Sequence, residues 1–146
     1  KFCWRINPDR YFEFKTHYFH KDYPFTHAGI SSYHFSCPVR GITKEILEQT
    51  FQEAYELLPA QIHSIFKAGS ARGGILQKGG ILWQDWNEEF EPSYWSDGTE
   101  IKQIVGHTTQ EQPSQKGQSW CLDCGQSWVG LLDSNLKFEE YNVNDK

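Results

Sequence analysis

One stretch of this chain, Thr43 to Pro59, carries a helix-length hydrophobic period, and it limits the possible folds more than any other feature. Apolar residues fall at Ile46, Leu47, Phe51, Ala54, Tyr55 and Leu58, three and four positions apart, which puts them on one face of a helix. Glu45, Glu48, Glu53 and Glu56 lie largely on the other face. Thr43 is placed to cap the helix and Pro59 to stop it. A second, short helix is expected around residues 61 to 66. The helical middle is followed by a run of short strand-like segments, which predicts a sheet with helices on one side. Such an arrangement is half of a layered α/β or α+β sandwich.

The strand-like segments are brief. Residues 1 to 20 alternate aromatic with charged or polar side chains, a weak strand pattern. Asp22 to His27 reads as a strand entered through Pro24 and ended by Ala28-Gly29. Residues 69 to 80 are glycine-rich and predict tight turns. Ile81-Leu82-Trp83 is a short apolar run, and residues 84 to 99 read as an irregular acidic loop. Further strands are expected at Ile101 to Val105, Ser119 to Asp123, Trp128 to Leu132 and Lys137 to Tyr141. A polar loop, Thr108 to Gly117, separates the first two, and Leu132 to Leu136 form a turn between the last two.

Composition sets the remaining bounds. A length of 146 residues suits one domain spanning 1 to 146, with a core of its own. Hydrophobic residues make up only 38%, but 16% of the chain is Phe, Trp or Tyr, and large rings bury enough area to build that core. The net charge of −5 argues against nucleic acid or an anionic membrane surface as a partner. No run approaches the ~20 apolar residues of a membrane span. Cys3, Cys37, Cys121 and Cys124 are too few for a secreted disulfide framework, so a reduced, cytoplasmic setting is expected. The chain begins at Lys1 and contains no methionine, which suggests a piece of a longer protein.

Two histidines stand at strand ends. FTHAGIS places His27 after an apolar run, and QIVGHT does the same for His107. Ligand sites in open α/β sheets gather outside the carboxyl ends of strands. Two neutral imidazoles at adjacent ends could therefore share one divalent ion. Spacing alone leaves this open, because a strand-end histidine is more often a hydrogen-bonded structural residue. Arg72, flanked by small residues and glycines, can extend into a cleft, and its planar fork suits phosphate oxygens. A solvated loop arginine is the plainer alternative. Cys121 and Cys124 lack a second cysteine pair at zinc spacing and read as two buried small hydrophobes. Trp83, Trp120 and Trp128 read as core rings, which leaves Trp86 and Trp95 as the pair free to form an aromatic platform.

The order FTHAGIS, helix, ARGG, GGILWQD, QIVGHT, CLDCG resembles the C-terminal half of the calcineurin-like metallophosphoesterases, in the branch related to serine/threonine phosphoprotein phosphatases. Each motif is short, and their order makes the resemblance specific over about residues 20 to 141. It implies part of a two-sheet β-sandwich flanked by helices, with two divalent ions (Mn, Fe, Zn or similar) in the intact family site. It implies His27 and His107 as ligands of one ion, Arg72 as a phosphate contact and Asp85 as a neighbour of the site. The implied reaction is hydrolysis of a phosphoester. The remaining family ligands come from Asp-x-His, Gly-Asp-x-x-Asp and Gly-Asn-His-Asp/Glu motifs, none of which occurs in this chain. Half a metal site is therefore expected, inactive on its own, with a missing N-terminal half as partner. Two alternatives remain: a non-catalytic, aromatic-rich module binding glycan or peptide, and a degenerate half serving as a scaffold.

Overall fold

A computed structural model describes residues 17–35, 41–58, 60–125, 127–133, 135 and 137–144. The expectations for residues 1 to 16, for Cys37 and for Pro59 lie outside these described residues. Within them the protein is a mixed α/β structure with one α-helix and two sheets.

The helix α1 runs Lys44–Glu56, as its apolar period predicts. The Thr43 side chain accepts from the Ile46 amide at 3.2 Å, satisfying one of the amides that a helix start leaves unpaired. Leu47, Phe51 and Ala54 are its buried face. They pack with Ile30, Phe35, Ile42, Ile65, Phe66, Ile81 and Ile101 into the main core. Each fully buried large apolar side chain contributes about 1.5–3 kcal/mol, so this cluster, drawn from segments far apart in sequence, holds the chain together. The second expected helix is reduced to a 3-10 turn, Ser64–Phe66, whose Ile65 and Phe66 point into the core.

The larger sheet takes β1 (His17–His20), β2 (Tyr23–Thr26), β3 (Ile104–Val105), β4 (Ser114–Lys116) and β5 (Ser119–Cys121) in the order β1-β2-β3-β5-β4. The outer pairs β1/β2 and β4/β5 are antiparallel hairpins, whereas β2/β3 and β3/β5 are parallel. Three successive central strands therefore end at the same edge. Register is fixed by Phe25 opposite Ile104 and by Ile104 and Val105 opposite Trp120 and Cys121.

The expected strand from 101 to 105 is shorter than its sequence suggests. The Ile101 amide turns instead to the Ser93 carbonyl at 2.8 Å, and the Gln103 amide donates to Ser119 Oγ at 3.1 Å. The buried Gln103 side chain also clasps the backbone of Ile30, accepting from its N–H at 2.6 Å and donating to its carbonyl at 3.0 Å. A polar side chain so placed satisfies a loop that would otherwise bury unpaired backbone groups.

The strands β6 (Trp128–Leu132) and β7 (Phe138–Asn142) form a separate antiparallel hairpin. It leans on the larger sheet through Phe138, whose ring lies 4.7 Å from that of Trp120. No helix among the described residues is long and apolar enough to cross a membrane.

Candidate functional site

His27 follows the last residue of β2, and His107 follows β3 after a single glycine. Because the two strands are parallel neighbours, their carboxyl ends coincide, and the Gly106 amide donates to the His27 carbonyl at 2.9 Å. The side chains meet: His27 Nε2 and His107 Nδ1 are 2.8 Å apart, with ring centroids at 4.7 Å and planes inclined by 62°. Two nitrogens each ~2.1 Å from one metal ion, at a right angle, would stand about 3.0 Å from each other. The observed pair is close to that spacing, and the two nitrogens share a hydrogen bond whose donor depends on the tautomer.

The backbone of His107 has φ of 71°, in the left-handed region, which histidine visits more readily than most side chains. The conformation costs on the order of 1–3 kcal/mol and turns the ring back towards β2. Burial, then the neighbouring His27, then the Arg72 guanidinium lower the pKa of His107, so the imidazole is neutral at neutral pH. Its Nε2 is buried and accepts or donates no hydrogen bond among the described residues. On the solvent side, Trp83 sets its ring edge-on to His107, with centroids 5.5 Å apart at 85°.

A second constellation adjoins the first through Thr108. Arg72 lies on a short 3-10 turn, Ser70–Arg72, closed by Gly73 in the left-handed region. Its Nη2 pairs with Asp85 Oδ2 at 2.6 Å and donates to Thr108 Oγ1 at 3.0 Å. The same hydroxyl accepts from the Trp86 amide at 2.8 Å. Asp85 Oδ1 in turn caps the next turn, accepting from the amides of Asn87 at 2.8 Å and Glu88 at 3.0 Å. Arg72 therefore does not extend into an open cleft as the glycine-rich sequence suggests. One edge of its fork is held by a buried carboxylate, while Nε and Nη1 make no hydrogen bond among the described residues.

Other sequence expectations resolve differently. Trp86 is fully buried against Phe90, Val105 and Cys121, and Trp95 packs on the main core, so the two do not form an exposed platform. The reason is the turn capped by Asp85, which folds the acidic segment inward over the sheet. Trp83, expected in the core, is instead 45% exposed beside His107. Gly29, expected to end the strand that carries His27, serves packing. Its φ is 121°, and an added Cβ would lie 2.8 Å from Gln84 Oε1 and 3.1 Å from Phe90.

Cys121 and Cys124 are buried free thiols, and burial raises the pKa of both, which leaves them protonated and unreactive. Cys121 Sγ lies 3.4 Å from the Thr108 carbonyl and supports the His107 segment from below. Thr108 is the residue that sequence reasoning passed over, although it sits in the QIVGHT motif directly after His107.

Asp85, and then Asp123 two residues beyond β5, are near enough for their charges to favour protonation of His107. No group of three His, Cys, Asp or Glu side chains placed to hold a metal ion occurs among the described residues. No family model, curated protein or solved structure matches this chain.

Proposed function

We propose that this chain is the C-terminal portion of a calcineurin-like metallophosphoesterase domain and contributes half of a metal-dependent phosphoester-hydrolysing site. The observation that carries the reading is the 2.8 Å approach of His27 Nε2 to His107 Nδ1 at two adjacent parallel strand ends. Two imidazoles fit a divalent ion such as Mn, Fe or Zn as donors, and the lowered pKa of His107 keeps its lone pair available at neutral pH. Two ligands are an incomplete set, and the reading assigns the rest to Asp-x-His, Gly-Asp-x-x-Asp and Gly-Asn-His segments carried N-terminally. When bound, divalent ions in such a site polarise a phosphoryl group and offset the charge of an anionic substrate in an acidic protein.

The chain's own residues then have separate roles. His27 and His107 would hold one ion at the sheet edge. Arg72 offers its Nε and Nη1 hydrogens singly to phosphoryl oxygens, and Asp85 and Thr108 hold its Nη2. Thr108 accepts from this arginine and from the Trp86 amide, which sets the cationic group beside the His107 segment. The alternative of a glycan- or peptide-binding module has no exposed pair of rings among Trp86 and Trp95 to rest on.

Calorimetric titration with zinc or manganese tests the site. One ion per chain is expected, with affinity falling at least about tenfold in His107→Ala and His27→Ala. Equal affinity in wild type and both variants would remove the histidines from the site. For the activity, a longer chain carrying the three upstream motifs should hydrolyse p-nitrophenyl phosphate with manganese, and His107→Ala should abolish that hydrolysis.

A further inference from the structure

We propose that Glu89 is the positioning residue of the Arg72–Asp85 pair, a single buried carboxylate that fixes the backbone of both partners. The inference rests on the reading of Arg72 as the phosphoryl-binding group. The segment from Asp85 to Glu91 holds several acidic residues, and Glu89 alone among its glutamates turns inward, at 5% exposure, while Glu88 and Glu91 face solvent. The Asp85-capped turn directs it there, because the amides of Glu89 and Phe90 both donate to the Asp85 carbonyl, at 3.0 and 2.9 Å.

The carboxylate collects three backbone amides from separate segments. Oε1 accepts from the Ala71 N–H at 2.9 Å, and Oε2 accepts from Gly79 at 2.6 Å and from Asp85 at 3.4 Å. Ala71 and Gly79 are the two limbs of the glycine-rich loop, which is closed further by the Ser70 amide donating to the Leu76 carbonyl at 2.8 Å. A Cβ on Gly69 would fall 2.3 Å from Oε1, so the loop wraps the carboxylate with no room to spare. The amides preceding Arg72 and belonging to Asp85 thus hang from one group, and the two side chains meet at 2.6 Å on the far side.

A carboxylate suits this position because both of its oxygens face amide donors. Glutamine would turn an N–H₂ towards one amide N–H, and either the Ala71 limb or the Gly79 and Asp85 side would have to release. Arg72 and Asp85 would then lose their common frame without either side chain being altered.

The decisive measurement is ¹⁵N NMR of the Arg72 guanidinium in the full chain, with titrations of inorganic phosphate and of zinc alone. In Glu89→Gln, guanidinium proton exchange is expected to accelerate about tenfold and phosphate affinity to fall about tenfold. Zinc affinity should stay within about twofold, because the histidines are positioned by the ends of β2 and β3, whereas a general loss of structure would lower both affinities. Unchanged guanidinium exchange in a folded Glu89→Gln protein would overturn the proposal. If phosphate does not bind the wild type, the phosphoesterase reading loses its anion site, while the exchange rate still decides the role of Glu89. Should Glu89→Gln fail to fold, Glu89→Asp keeps the charge with a shorter reach and gives the same reading. Intermediate exchange supports the role and the wild-type rate refutes it.

Discussion

His34 and His107 are both kept neutral, chiefly by burial, and this gives the fold a pH dependence of definite sign. His34 bonds the Gly79 carbonyl through Nε2 at 2.9 Å, which offsets part of the effect, and its Nδ1 is buried without a partner among the described residues. For both groups the folded pKa lies below that of the unfolded chain, about 6.5. The unfolded state therefore binds more protons as pH falls through that value, and stability is full above it and declines below it. Thermal unfolding midpoints should drop between about pH 7.5 and about pH 5.5, and His34→Gln should flatten the slope. A midpoint independent of pH across that range would contradict the buried, neutral state of these rings. At this scale the sequence singled out His27, His107 and Arg72 as candidates, because each stands in a small-residue context at a segment end. It did not identify Glu89, since nothing local separates this acid from Glu88 and Glu91. Burial by a distant loop makes the difference.

Among the elements, α1 was legible at its start and to within two residues at its end, where Leu58 lies beyond the helix and is exposed. A helix writes its cap and its apolar face into one continuous window. The strands were legible only in outline. β4 falls inside the expected polar loop, since Ser114, Gln115 and Lys116 have no apolar alternation and become a strand only by pairing with β5. The glycine-rich loop was read correctly as turns, but the job of each glycine depends on what lies opposite. At Gly80 a Cβ would sit 1.8 Å from the Ile65 carbonyl oxygen, where two segments cross and the Ile81 amide donates to that same oxygen at 2.9 Å. Gly80→Ala should accordingly destabilise the protein by about 3 kcal/mol in urea unfolding, a cost of forced backbone displacement. A loss below about 0.5 kcal/mol would mean that the crossing is looser than described.

Across the whole molecule, the site depends on a connection more than 70 residues long, since the chain leaves β2 at Thr26 and returns beside it only at Ile104. An ion held by His27 and His107 would bind the folded state alone and pin two strands together. At about one hundred times its dissociation constant it should raise the unfolding free energy by about 2.7 kcal/mol. The rise should vanish in His107→Ala, and a zinc-independent unfolding midpoint in the wild type would sink the shared-ligand reading.

The sequence by itself determined the amphipathic helix, the aromatic means of building a core and the two histidines at segment ends, because these depend on residue type and local period. Only the tertiary structure decided that β2 and β3 are parallel neighbours, that Arg72 is held by Asp85, and that Trp83 faces His107 while Trp86 is buried. The physical reason is that pairing between strands and burial of a loop are set by partners remote in the chain. A local pattern records which side chains seek burial or a charge partner, but not which distant residue supplies it.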